Sequence, residues 1–130
     1  MIKKISIILL IVILCVLYWF SAQNGTLSTN QSNEVLSQLN LDSKNPMYTL
    51  VIRKSAHFLI YFVIGVLVYL ITESPCKTIL AILLIACGDE LHQMFVPGRA
   101  GRLSDVGIDL LGGICGLMIV RLFKGIFPFK

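Results

Sequence analysis

Long apolar runs separated by short polar breaks dominate the chain. Lys3 and Lys4 precede Ile5 to Phe20, where Ser6 is the one strongly polar residue. A second run opens at Leu50, passes through Arg53-Lys54-Ser55-Ala56-His57, and continues without charge from Phe58 to Ile71. Glu73 to Lys77 is a polar turn. A third run covers Thr78 to Val96, with Asp89, Glu90, His92 and Gln93 in its last third. After the glycine-rich loop from Pro97 to Arg102, a fourth run extends from Leu103 to Val120 and begins with Asp105 and Asp109. At about 1.5 Å per helical residue, runs of this length match a hydrocarbon layer of roughly 30 Å. The pattern predicts an all-α integral membrane four-helix bundle, a single domain over 1–130 with spans near 5–22, 50–72, 78–96 and 103–120.

Between the first two runs, Ser21 to Thr49 is rich in Ser, Thr, Asn and Gln. Val35, Leu36 and Leu39 form a small apolar face there, after Ser32 as a plausible cap. This predicts a short amphipathic helix in the first outer loop, lying at the membrane interface, with a partly ordered loop as the alternative. Asn24-Gly25-Thr26 and Asn30-Gln31-Ser32 match the short glycosylation pattern. The first run resembles a signal peptide, but Phe20-Ser21-Ala22 is bulky where cleavage needs a small residue, so an uncleaved span is expected.

Composition agrees with lipid as the solvent. Hydrophobic residues make up 56% of the 130 and charged residues 14%, against about 25% charged in a soluble domain. The four cysteines lie mostly in apolar runs and read as small hydrophobes. The net charge of +4 is dispersed at the ends of runs, which points to membrane orientation and anionic lipid and away from nucleic acid. With the N-terminus inside, Lys3, Lys4, Lys77, Arg121, Lys124 and Lys130 lie on the inner side. Lys44, Arg53, Lys54, Arg99 and Arg102 lie outside, and four of these sit among carboxylates. Setting those four aside leaves Lys44 alone, so both termini are expected in the cytoplasm.

This topology carries three polar segments to one membrane face. Arg53, His57 and Tyr61 recur every four residues, as do Asp89 and Gln93, and Asp105, Asp109, Gly112 and Gly116 share a stripe. A charge within a span costs roughly 2.5–3.5 kcal/mol on insertion scales unless it is paired or hydrated. Such a concentration therefore marks a site. His57, Asp89 and Glu90 are the candidate catalytic groups. Arg53, Lys54, Tyr61, Gln93, Arg99, Asp105 and Asp109 are the candidate binding groups. For each, a packing role competes: snorkelling for Arg53, Lys54 and Arg102, and an interhelical hydrogen bond from His57 to Asp89 or Asp109. Counting from Glu73 and Lys77 as the ends of the turn places Asp89 level with Tyr61 and roughly 6 Å below His57. Gly112-x-x-x-Gly116 reads as a helix-packing stripe, and Tyr18 and Trp19 as interfacial anchors.

The ordered set Arg53-Lys54-x-x-His57-Phe58-x-x-Tyr61, Asp89-Glu90-x-x-Gln93, Pro97-Gly98-Arg99 and Asp105-x-x-x-Asp109-x-x-Gly112-x-x-x-Gly116 resembles the VanZ-like membrane proteins. The resemblance covers about residues 15–120, including Phe20-Ser21-x-Gln23. In that family the position of Asp109 is often Asn. The resemblance implies a multi-pass protein of the bacterial cell membrane, of a family whose namesake is associated with resistance to teicoplanin-type lipoglycopeptides. Three functions are compatible with the residues. One is a non-catalytic binder or modulator of membrane lipid, a lipoglycopeptide or a cell-wall precursor. A second is a membrane enzyme acting on a phosphate- or carboxylate-bearing lipid-linked substrate. Its arginines would grip the anion, and its carboxylates and His57 would supply acid–base or metal-assisted chemistry, with Mg²⁺ or Ca²⁺ favoured by oxygen-rich ligands. The third, a transporter or proton relay, lacks charged residues in the inner halves of the last three spans. The binder fits best, with the enzyme as runner-up.

Overall fold

The computed structural model describes residues 1–42 and 45–126. Lys44 and Lys130, counted above for orientation, lie outside the described residues. Five helices follow one another: α1 (Ile2–Ser21), α2 (Gly25–Gln38), α3 (Pro46–Thr72), α4 (Pro75–Gln93) and α5 (Leu103–Ile126). Among them α1, α3 and α5 are long and apolar enough to cross a membrane. The fourth expected span, α4, is not in that group. It is 19 residues long and carries Lys77, Asp89 and Glu90, and these three charges lower its apolar character.

The distribution of side chains is that of a protein dissolved in lipid. On α1 the buried positions are Ser6, Leu17 and Ser21, while Ile8 and Ile11 are 62% and 57% exposed. Water would reverse that pattern, because exposed isoleucine is costly there. The three apolar helices mark a membrane protein. All four cysteines are free thiols on outward faces.

A core of Leu17, Tyr61, Ile64, Val68, Ile82, Ala86 and Val106 draws on α1, α3, α4 and α5. Helix α5 packs mainly on α3, and glycine makes this possible. A Cβ on Gly112 would strike the carbonyl of Phe58, and one on Gly116 the carbonyl of Phe62. The expected stripe is therefore a packing face. Gly65 lies equally close to the carbonyl of Gly113, a contact that no sequence pattern announced.

A tight turn sets the register of α3 against α4. Helix α3 ends at Glu73, whose φ of 52° is left-handed, and α4 begins with Pro75 at its first position. Thr78 Oγ1 donates to Ser74 O at 2.9 Å and lies 2.9 Å from Thr72 Oγ1. The connection is thus only Glu73-Ser74, and Pro75 to Lys77 are already helical. At this end of the molecule Glu73 pairs with Lys3 at 3.4 Å and lies 3.9 Å from Lys124.

Helix α2 starts earlier than expected. Asn24, not Ser32, is its cap, accepting from Leu27 N at 2.9 Å and from Thr26 Oγ1 at 2.7 Å. Ser32 is buried inside the helix and its hydroxyl donates to Ser28 O at 2.9 Å. Leu36 is buried, whereas Val35 and Leu39 are exposed, so the expected apolar face is divided. The start of α2 docks on the α4–α5 loop: Gly25 N donates to Pro97 O at 3.1 Å, and Gly25 packs against Gly98, whose φ is +73°.

Candidate functional site

Helices α3, α4 and α5 bring their polar ends together at the end opposite Glu73. A cavity of about 390 Å³ opens there. Of the ten candidate residues, Arg53, Lys54, His57, Glu90, Gln93, Arg99, Asp105 and Asp109 line it. Asp89 adjoins it through Gln93, whose Nε2 donates to Asp89 Oδ2 at 2.8 Å. Tyr61 does not line it. Its ring is fully buried in the core, and its hydroxyl has no hydrogen-bond partner among the described residues.

The two-residue link between α3 and α4 brings Asp89 against His57. His57 Nδ1 lies 4.0 Å from Asp89 Oδ2 and 3.6 Å from Asp109 Oδ1. Both distances exceed hydrogen-bond reach. The expected drop of one turn between Asp89 and His57 is corrected by the two-residue connection. Counted from helix ends at Thr72 and Pro75, the two residues stand nearly level.

The carboxylates have different environments. Asp105 Oδ1 accepts from Lys54 Nζ at 2.8 Å, with both side chains 30% exposed. Glu90 Oε2 accepts from the backbone N–H of Arg102 at 2.8 Å, holding the α4–α5 loop onto α4. Asp109 is fully buried, and neither of its oxygens has a hydrogen-bond donor among the described residues.

Bases separate from acids. Lys54 is consumed by Asp105, but Arg53 and Arg99 have no carboxylate partner among the described residues. Both are half-buried. Arg99 Nη1 donates to Ser28 Oγ of α2 at 3.2 Å, and its buried Nε has no partner among the described residues. Burial and the neighbouring Arg53 hold the Arg99 guanidinium below its ordinary pKa. Ser28 and the whole α2 contact escaped the sequence reading, because a serine in a serine-rich stretch carries no periodic signal.

A second cavity of about 240 Å³ lies beside the first, between α1, α2 and α3. Its walls include Leu17, Phe20, Val35, Ile52, Ala56 and Ile60. Arg53, His57 and Arg99 line both cavities. A polar chamber and an apolar groove thus share one cationic wall. Tyr18, read as an interfacial anchor, has its ring centroid 4.9 Å from that of His92 on α4.

Among curated proteins and among solved structures, nothing matches this chain. Residues 6–124 match the VanZ/LLP1 family, a stretch that contains every residue lining the site. The chain is a member of the VanZ/LLP1 family.

Proposed function

We propose that this protein binds an amphiphile bearing a phosphate or carboxylate, at the outer face of a bacterial cell membrane. The anionic head occupies the polar cavity between Arg53 and Arg99, and the apolar tail lies in the groove beside it. One observation carries the proposal: two half-buried arginines without carboxylate partners among the described residues line both cavities. Taking a cation out of water costs several kcal/mol unless an anion compensates it, and a guanidinium binds phosphate or carboxylate in a two-pronged fashion. An envelope lipid, a lipid-linked cell-wall precursor and a lipoglycopeptide all have this chemistry, and the family's tie to teicoplanin resistance fits the last.

In this proposal α4 crosses the membrane as a fourth span, its charged end shielded within the site. Helix α2 lies at the interface and closes the groove, and both termini are cytoplasmic. An enzyme acting on the same class of ligand is the second reading, favoured by His57 lying between Asp89 and Asp109 at the cavity wall.

The test is mass spectrometry of lipid retained by protein purified in mild detergent. The parent retains a phosphate- or carboxylate-bearing lipid that Arg53→Ala and Arg99→Ala lose. Equal retention by the parent and both variants contradicts the proposal.

A further inference from the structure

We propose that His57, Asp89 and Asp109 form a binding site for one divalent cation of the manganese or zinc type, seated beside the arginine pair. This inference goes beyond the lipid site and does not depend on it.

Three helices contribute one ligand each: α3 gives His57 Nδ1, and α4 and α5 give carboxylate oxygens of Asp89 and Asp109. The three atoms lie within 4.8 Å of one another. The separations of 3.6 Å and 4.0 Å from His57 are too long for hydrogen bonds and right for atoms flanking a cation. Ligands about 2.1 Å from a metal stand roughly 3.0–4.2 Å apart, and a small rotation of either carboxylate closes the remainder.

The second observation is Asp109 itself. Both its oxygens are buried and lack a donor among the described residues, as does His57 Nδ1. A buried carboxylate without a partner is costly. Lys54 pairs with Asp105 and Arg99 donates to Ser28, so what faces the Asp109 carboxylate is the imidazole of His57, 3.6 Å away. In the forms that ligate a metal, two carboxylates and a neutral imidazole carry a charge of about −2, which a divalent ion cancels. Gln93 Nε2, at 2.8 Å, fixes the Asp89 oxygen that faces His57, the outer support that metal ligands usually have. The mixed nitrogen and oxygen donors favour Mn²⁺ or Zn²⁺ over the Mg²⁺ or Ca²⁺ expected from carboxylates alone. Three protein ligands leave coordination positions free. His57 and Asp109 face the 390 Å³ cavity, so those positions open where a ligand's anionic head would sit.

The probe is Mn²⁺ alone, added to detergent-purified protein stripped with EDTA. Equilibrium dialysis with metal analysis should find one Mn²⁺ per chain. Affinity should fall at least about tenfold in Asp109→Asn and in His57→Gln, and stay within about twofold in Glu34→Gln. Pulsed electron paramagnetic resonance of the bound Mn²⁺ should show coupling to one imidazole nitrogen, a readout from the parent alone that needs no variant to fold. No Mn²⁺ bound at millimolar concentration, or bound Mn²⁺ without nitrogen coupling, overturns the proposal. Loss of lipid with retention of Mn²⁺ in Arg99→Ala separates this site from the amphiphile site.

Discussion

Lys54 Nζ meets Asp105 Oδ1 at 2.8 Å and joins α3 to α5 at the rim of the site. The pair removes the one lysine of the cluster from ligand binding and leaves the arginines unmatched. Both side chains are 30% exposed, so the pair contributes about 1 kcal/mol or less. Lys54→Met should lower the melting temperature slightly, and Lys54→Met combined with Asp105→Leu should recover most of that loss. Thermal unfolding followed by circular dichroism checks this. A double variant less stable than the sum of the singles contradicts it.

Gly116 and Arg99 separate packing from binding. Leu at position 116 would press on the carbonyl of Phe62, and overpacking of this kind costs about 1–3 kcal/mol. Gly116→Leu should therefore reduce the amount of folded protein severalfold in membranes. Arg99→Ala should leave that amount nearly unchanged while losing the ligand. Equal loss of protein in both variants, measured by quantitative immunoblot, would make Arg99 structural.

Asp109 predicts a change of opposite sign. Its carboxylate is buried without a donor among the described residues, so removing the charge from protein stripped of metal should relieve a cost of about 1–3 kcal/mol. Asp109→Asn should melt higher than the parent after EDTA treatment, and added Mn²⁺ should raise only the parent. A stripped Asp109→Asn that melts lower than the stripped parent would show that the carboxylate has a stabilising partner.

Orientation is read from thiols. Cys76 is exposed on the first turn of α4 and serves as a native reporter once Cys15, Cys87 and Cys115 are replaced by Ala. A membrane-impermeant maleimide should leave Cys76 unlabelled in intact cells. Gln38→Cys, at the end of α2, should label when Cys76 is also replaced. The reverse pattern would place the site on the cytoplasmic face.

Much of this was legible in the residues, and the gaps have physical causes. Helix positions followed from apolar run length, because lipid demands satisfied backbone groups over the whole span. The convergence of Arg53, His57, Asp89 and Asp109 followed from the cost of charge in such spans. The start of α2 was missed because Asn24 offers the same side chain to a cap and to a glycosylation pattern, and only the fold selects between them. The level of Asp89 was misjudged by counting Pro75 to Lys77 as turn, although proline is well suited to the first helical turn. Gly65 and Ser28 act through contacts with distant segments, which neither periodicity nor composition encodes. The status of α4 depends on where Asp89 and Glu90 point. Both are buried toward the site, a fact that hydropathy averaging counts against a span.

The central claim is that Arg53 and Arg99 together hold an anionic amphiphile. Its most direct test is a binding titration of dioleoyl phosphatidic acid to the purified chain in nanodiscs of phosphatidylcholine. The parent should bind phosphatidic acid saturably at one site, with binding at least about tenfold weaker in Arg53→Ala and Arg99→Ala, in line with loss of a charge-assisted contact of about 1.5–3 kcal/mol, and unchanged in Lys124→Ala. Saturable binding that survives both arginine variants, or no preference for phosphatidic acid over phosphatidylcholine, would contradict it.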